Sequence, residues 1–84
     1  MTMPTVFRQD GFQIRIYSNE HLPPHVHVLK AGGELKFILG SEFEEPCLDK
    51  ELSPMKGADA RKASVIVKEQ QMYLLEKWRE IYER

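Results

Sequence analysis

The sequence predicts an α+β domain, in which an antiparallel β-meander of four or five strands packs one face against a single long C-terminal α-helix. Two observations predict it. Apolar residues alternate with polar ones in the first half of the chain, between short turn sequences. After Gly57 the apolar spacing changes to three and four residues, with no glycine or proline as far as Glu83. We therefore predict one domain over residues 1–84, with a sheet at 4–50, a connector at 51–57 and a helix at 58–83.

Size and composition limit the class of protein. With 84 residues and a formal net charge of −1, the chain has room for one small core and no overall attraction to nucleic acid. Cys47 is the single cysteine, which excludes internal disulfides and suits a reducing compartment. No apolar run is long enough for a signal peptide or a membrane span. We therefore expect a cytoplasmic protein without membrane contact, stabilised by a partner or by oligomerisation.

The first two predicted strands form a hairpin. Residues 4–8, Pro-Thr-Val-Phe-Arg, open with a proline and are rich in β-formers, which favours an edge strand. Asp10-Gly11 is a strong hairpin-turn signal. Residues 12–17 then alternate, so we predict inward-facing Phe12, Ile14 and Ile16 and outward-facing Gln13, Arg15 and Tyr17.

A second hairpin follows a Pro-Pro pair. We predict strands at residues 25–30 and 34–39, joined by a turn at Ala31-Gly32-Gly33. Residues 45–49 are candidates for a fifth strand, which Pro46 would restrict to a sheet edge.

The C-terminal segment carries more apolar surface than one small sheet needs. Its narrow apolar stripe consists of Ala60, Ala63, Val67, Leu74, Trp78 and Ile81, and Gln71 interrupts it. Outside that stripe lie Ile66, Met72, Tyr73, Leu75 and Tyr82. Either the second surface is buried against a partner or a second copy of the chain, or a helix about 37 Å long covers the sheet and overhangs it. The sequence leaves both alternatives open.

The segment from Ser18 to Val28 contains all three histidines of the chain, His21, His25 and His27. In a strand, His25 and His27 point to one face and the alternate valines to the other. Two adjacent imidazoles can bind a metal, pair with phosphate or transfer a proton. Because Leu29 continues the same face, we expect that face to be partly buried, under the end of the helix or against another subunit.

The histidines have a structural and a metal-binding interpretation. In the simpler one, His25 and His27 are hydrogen-bonded residues of the sheet. In the other they chelate a metal, and the site is completed by Glu20, His21 or Asp49. Structural zinc sites usually have cysteine pairs or helical histidine spacing, and neither is present. We therefore predict no metal and no cofactor.

A third interpretation is contact with RNA. We expect Arg15, Tyr17 and Lys36 to share the outward face with the two strand histidines, which provides cations for phosphate and a ring for base stacking. Two neighbouring imidazoles could then serve as acid and base for strand cleavage by the 2′-hydroxyl, without a metal. Glu20 is a candidate for orienting an imidazole, although Ser18-Asn19 before it is also an ordinary turn sequence.

Several segments match a family pattern. Met-Pro-Thr-Val-x-Arg-x-Asp-Gly-Phe is present at residues 3–12, Tyr-Ser-Asn-Glu at 17–20, Pro-Pro-His-Val-His-Val at 23–28 and Gly-x-x-Lys-Phe-x-Leu at 33–39. In these segments the chain resembles the domain-of-unknown-function family 4160 of small bacterial proteins, whereas residues 41–57 fit its pattern poorly. The resemblance brings no established activity. Genes of this family often neighbour another small protein, which implies a toxin–antitoxin role by association.

These observations lead to three functional hypotheses, and they leave open whether the protein is an enzyme. The first is a component of a toxin–antitoxin-like two-gene module, which acts through protein–protein contacts and also through RNA contacts. Its partner is the co-encoded small protein, or a second copy in a homodimer, bound through the C-terminal helix. The second is a metal-independent ribonuclease with catalytic His25 and His27 and phosphate-binding Arg15 and Lys36. The third is a metal-binding accessory domain.

Overall fold

Five strands and two helices make up the fold. The computed structural model describes residues 5–17 and 21–82. Its elements are β1 (Thr5–Gln9), β2 (Phe12–Arg15), β3 (His25–Lys30), β4 (Gly33–Ile38), β5 (Cys47–Ser53), α1 (Gly57–Glu69) and α2 (Gln71–Tyr82). The strands form one antiparallel sheet in the order β1-β2-β3-β4-β5. This arrangement confirms the predicted α+β class and the antiparallel meander.

The prediction of a single long helix is wrong, because Gln70 separates α1 from α2. At Gln70 the backbone has φ −102° and ψ 12°, which lies outside the α region. The side chain of the next residue, Gln71, donates from Nε2 to the carbonyl oxygens of Leu39, Ser41 and Glu44 at 2.7, 2.8 and 2.7 Å. The first turn of α2 is therefore held by the loop that follows β4 as well as by α1. Neither described helix is long and apolar enough to cross a membrane.

β5 lies later in the chain than the sequence suggested. It covers Cys47–Ser53 rather than residues 45–49, so the predicted connector at 51–57 shortens to residues 54–56 and the helix begins at Gly57. The pairing of β5 with β4 shifts register at two places, which is the mark of β-bulges. Three charged residues occupy the middle of this strand, so no apolar alternation marked its extent in the sequence.

The core lies between the sheet and the helices. The inward-facing residues predicted for the second strand are all buried. The buried apolar side chains form one cluster that includes residues of the three central strands and of both helices. Ile66 and Leu75 belong to it although they lie outside the predicted stripe, so the helices bury a broader face than that stripe. The members of the cluster are Phe12, Ile14, Ile16, Val26, Val28, Leu35, Phe37, Leu39, Ala63, Ile66, Val67, Leu74, Leu75 and Trp78.

Two ion pairs connect α1 to turns of the sheet. Lys62 pairs with Asp10 in the β1–β2 turn at 3.1 Å, and Lys68 pairs with Glu45 before β5 at 2.5 Å. Hydrogen bonds from Lys62 and Gln9 lower the pKa of Asp10, and the bond from Lys62 has the larger effect. All four paired side chains are largely exposed, so these pairs orient the helix more than they stabilise the fold.

Candidate functional site

β3 is the central strand of the sheet, and it carries His25 and His27. The strand pairing places His27 opposite Arg15 of β2 on one side and opposite Lys36 of β4 on the other. Lys36 is in turn paired with Lys50 of β5. Because directly paired residues point to the same face of a sheet, these four side chains form a row across four strands. The row unites three residues that the sequence analysis grouped and adds Lys50.

His27 is hydrogen-bonded to a carboxylate on the neighbouring strand. Its Nδ1 lies 2.9 Å from Oε2 of Glu34, and the hydroxyl of Tyr17 donates to the same oxygen at 3.2 Å. Since an ionised carboxylate only accepts hydrogen bonds, Nδ1 of His27 carries a proton, and Nε2 is the basic nitrogen of the neutral ring. The side chains of His27 and Glu34 are 6% and 23% exposed, so the pair is shielded from solvent.

His25 is fixed by the backbone that precedes it. Its Nδ1 lies 2.8 Å from the carbonyl oxygen of Pro23, and this contact requires Nδ1 to be the donor. The His25 ring lies 5.0 Å from the Trp78 ring of α2 and 5.6 Å from the His27 ring, measured between centroids. Both histidines therefore have the same tautomer when neutral, each set by an oxygen acceptor.

Aromatic rings enclose both histidines. The Tyr17 ring lies 4.2 Å from His27, and Trp78 stacks on Tyr82 at 3.9 Å with an interplanar angle of 19°. We call the five side chains Tyr17, His25, His27, Trp78 and Tyr82 the aromatic cluster. Only 3% of His25 and 5% of His27 is exposed. The sequence predicted that this face is buried either under the end of the helix or against another subunit. α2 buries it, since Trp78 and Tyr82 both belong to α2.

Tyr17 joins the aromatic cluster to the charged residues of the row. Burial raises the pKa of its hydroxyl above the ordinary value, and the charge and hydrogen bond of Glu34 add to the effect. Arg15 acts in the opposite direction and lowers the pKa of Tyr17 through a hydrogen bond and its positive charge. The neutral phenol is thus the form that this site favours.

The two predicted phosphate ligands already have protein partners. Nη2 of Arg15 donates to Gln13 at 2.9 Å, while its Nε is buried without a hydrogen-bond partner. Nζ of Lys36 lies 3.4 Å from a carboxylate oxygen of Asp49. Beside Arg15 is a shallow depression of about 220 Å³, lined by Gly11, Gln13, Arg15, Leu29, Glu34 and the turn at residues 30–33. A ligand that binds there meets the carboxylate of Glu34 as well as the guanidinium.

The candidate metal donors do not come together. Within residues 5–17 and 21–82, no three His, Cys, Asp or Glu side chains form a group that could hold a metal ion. His21 is exposed on the loop before β3, and Asp49 pairs with Lys36. Glu20, predicted as a metal donor and as an orienting group, lies outside the described residues.

The sequence analysis missed two residues that organise this region, Glu34 and Gln71. Glu34 could have been found from hairpin register. The turn at residues 31–32 pairs Lys30 with Gly33, and this register places residue 34 on the His27 face, one diagonal position away. Gln71 gave only a weak signal, a polar residue within an apolar stripe, because its partners lie about thirty residues earlier in the chain.

The residues of an acid–base site are present, but its two histidines are buried. A carboxylate that holds Nδ1 of an imidazole orients the ring and leaves its other nitrogen as the one that can act as a base. Such a base acts only on a proton that comes within hydrogen-bonding distance. His27 is one of the least exposed polar residues in the described structure, so the same contacts also serve as structural hydrogen bonds inside the sheet.

Taken together, the fold and this site define a small α+β domain with a histidine pair buried beneath a helix. The family model described as a domain of unknown function (DUF4160) matches residues 11–79. The chain therefore belongs to this family, as the resemblance indicated. Searches of curated proteins and of solved structures found no significant match.

Proposed function

We propose that the protein is one component of a toxin–antitoxin-like two-gene module and acts by binding the product of the neighbouring gene. The contact surface in this proposal is centred on the start of α2, where Phe43 and Met72 are 88% and 51% exposed. Val65 of α1 is 52% exposed and lies on the other side of the break at Gln70. We call Phe43, Val65 and Met72 the helix-side patch.

The observation that carries the proposal is the way in which Phe43 is held. The turn that bears it is closed by reciprocal backbone hydrogen bonds between Ser41 and Glu44, and the hydroxyl of Ser41 accepts from the N–H of Phe43. Gln71 then attaches this turn to α2 through the carbonyls of Ser41 and Glu44. The backbone that bears this exposed aromatic ring is thus held in place.

Ordered display of an apolar ring favours binding. Burying a phenylalanine side chain contributes roughly 1.5–3 kcal/mol, and a preorganised backbone loses less entropy when a partner binds. Single exposed apolar residues are common and need no explanation. Two further exposed apolar side chains, Val65 and Met72, lie on α1 and α2, which agrees with a partner that binds through the C-terminal helical region.

Co-expression tests the module. We expect the product of the neighbouring gene to co-purify with this chain, and one of the two proteins to inhibit growth unless the other is present. Phe43→Ser and Met72→Ser are each expected to weaken the complex about tenfold. Leu22→Ser is the matched control, because Leu22 is 75% exposed but lies on the loop before β3. Absence of both a complex and a growth effect would refute the module.

A ribonuclease is the second candidate. It is favoured by the pairing of His27 with Glu34, and by Arg15 and Lys36 on either side of His27 in the row. This function requires the aromatic cluster to open, because an RNA 2′-hydroxyl must come within about 3 Å of an imidazole nitrogen.

Cleavage of single-stranded RNA by the purified chain tests this candidate. Loss of cleavage in His25→Ala and His27→Gln variants that still fold would support it. Equal cleavage by the wild type and the His27→Gln variant would assign the activity to a contaminant and the histidines to the fold.

A further inference from the structure

We infer that β5 is a docking strand, to whose outer edge an extended segment of the partner protein adds as a sixth strand. This segment carries a basic, an acidic and a basic residue opposite Asp49, Lys50 and Glu51, and apolar residues opposite Leu48 and Leu52. The inference rests on the proposed function, because it states how the partner binds.

The two edges of the sheet are covered to different extents. At the β1 edge, the hydroxyl of Tyr73 donates to the carbonyl oxygen of Val6 at 3.1 Å, and its ring packs edge-on against Phe7. One residue of α2 therefore contacts that edge. Among the described strands β5 pairs only with β4, and six of its seven residues are exposed. Its outer N–H and C=O groups are the ones available for a further strand.

Leu48 and Leu52 frame the charged centre of β5. They are 50% and 46% exposed. Between them, Asp49 pairs with Lys36, and Glu51 accepts a hydrogen bond from the N–H of Met55. Lys50 has no ion pair within the described residues. An added strand would cover the two leucines and provide Lys50 with an acidic partner.

Charge disfavours a second copy of the chain as that strand. Two antiparallel copies related by a two-fold axis normal to the sheet place one residue directly opposite its own copy. In the central registers that residue is Asp49, Lys50 or Glu51, so like charges meet, which is destabilising. Registers centred on Leu48 or Leu52 keep only three facing residues before Pro46 or Pro54 enters the pairing.

The same charges favour a complementary partner. Opposite-charge pairs directly across two strands are stabilising, so a segment with the order apolar, basic, acidic, basic, apolar matches β5 from Leu48 to Leu52. The two register shifts between β4 and β5 twist this edge and limit pairing with arbitrary strands. An edge with these charges and bulges favours pairing with a segment of complementary charge over pairing with a copy of itself.

Hydrogen–deuterium exchange on the complex with the neighbouring gene's product tests the inference. We expect slower exchange of the β5 amides in the complex, and a Kd about tenfold higher for Lys50→Glu. Arg61→Glu is the control, since it makes the same charge change at an exposed position of α1. Both variants should melt at the wild-type temperature. A complex with unchanged β5 exchange and equal Kd for Lys50→Glu would overturn the inference and leave the proposed function intact.

If no complex with the neighbouring gene's product forms, the proposed function fails. A second probe then tests the docking strand on the free chain. The peptide Thr-Leu-Lys-Glu-Lys-Leu-Thr should perturb the β5 amide resonances of the free chain at millimolar concentration, whereas Thr-Leu-Glu-Lys-Glu-Leu-Thr should not. Equal effects of the two peptides, or none from either, would overturn the docking strand. So would a dimer of the free chain whose β5 amides are protected.

Discussion

β3 and β5 belong to one sheet, yet they differ in burial and in position, since β3 is its central strand and β5 lies at its edge. His25 to Val28 are buried without exception, so both faces of β3 are covered. Six of the seven residues of β5 are exposed. The two polar histidines of β3 are buried, whereas Leu48 and Leu52 of β5 are 50% and 46% exposed. Burial here follows position in the sheet and cover by α2, not the hydropathy of each residue.

The difference divides the molecule into a part that stabilises the fold and a part available for contact. β3 has strands on both sides, apolar packing on one face and the aromatic cluster on the other. Among the described strands β5 has one neighbour, β4, and six of its seven residues are exposed. Substitutions around β3 should therefore lower the free energy of unfolding, whereas substitutions in β5 should alter binding and leave that free energy nearly unchanged.

Removal of Trp78 should have the largest effect on stability. It is 3% exposed, packs on His25 and stacks on Tyr82, so Trp78→Ala opens a cavity over the covered face of β3. We expect a loss of about 3–5 kcal/mol in the free energy of unfolding, measured by chemical denaturation. Tyr73→Ala on the same helix is the control, and because Tyr73 is 39% exposed it should cost clearly less. Equal losses would mean that α2 does not cover β3 in the way described.

His27→Ala should have the next largest effect. It removes the imidazole that hydrogen-bonds Glu34 and leaves a shielded carboxylate with one partner fewer. The expected loss is about 1–3 kcal/mol by urea denaturation. His21→Ala, at an exposed histidine six residues earlier, should stay within about 0.5 kcal/mol. A His27→Ala protein as stable as the wild type would remove the structural role of this histidine and favour the catalytic one.

The sequence predicts the central part of the fold because the signals there are local. Asp10 and Gly11 have φ of 52° and 84°, the left-handed pair that an Asp-Gly hairpin turn requires. The alternation around Ile14 continues across paired residues of β3 and β4, so the buried face followed from one strand. The break at Gln70 could not be predicted, because it is linked to a side-chain bond from Gln71 to a distant loop and no glycine or proline marks it.

The site was predictable to a lesser extent. That Arg15, His27 and Lys36 share a face followed from strand period and hairpin turns. Their burial did not follow, because it depends on where α2 lies, and a helix that covers the end of a sheet leaves no local mark in the strands. The same holds for β5, whose exposure reflects its place at the edge of the described sheet and not any property of Asp49 or Lys50 themselves.

Alkaline pH should weaken the β3 side by a smaller amount. Burial and Glu34 raise the pKa of Tyr17 in the folded state, so the neutral phenol stabilises the fold fully below its ordinary pKa of 10.0, and this stabilisation is lost as the pH rises through the raised value. Melting temperatures between about pH 8 and 12 should therefore fall more steeply for the wild type than for Tyr17→Phe. Parallel curves would show that Tyr17 titrates alike in the folded and unfolded chains.

The smallest expected effect on stability is in β5, and it is the most direct test of the comparison. Leu48→Ser alters a half-exposed side chain on an edge strand, so the free energy of unfolding should change by no more than about 0.5 kcal/mol. Val28→Ser in β3 makes a similar apolar-to-polar change at a fully buried position, and it should cost several times more because a cavity and a buried hydroxyl are added. If Leu48→Ser destabilised the protein as strongly as Val28→Ser, β5 would contribute to the core despite its exposure.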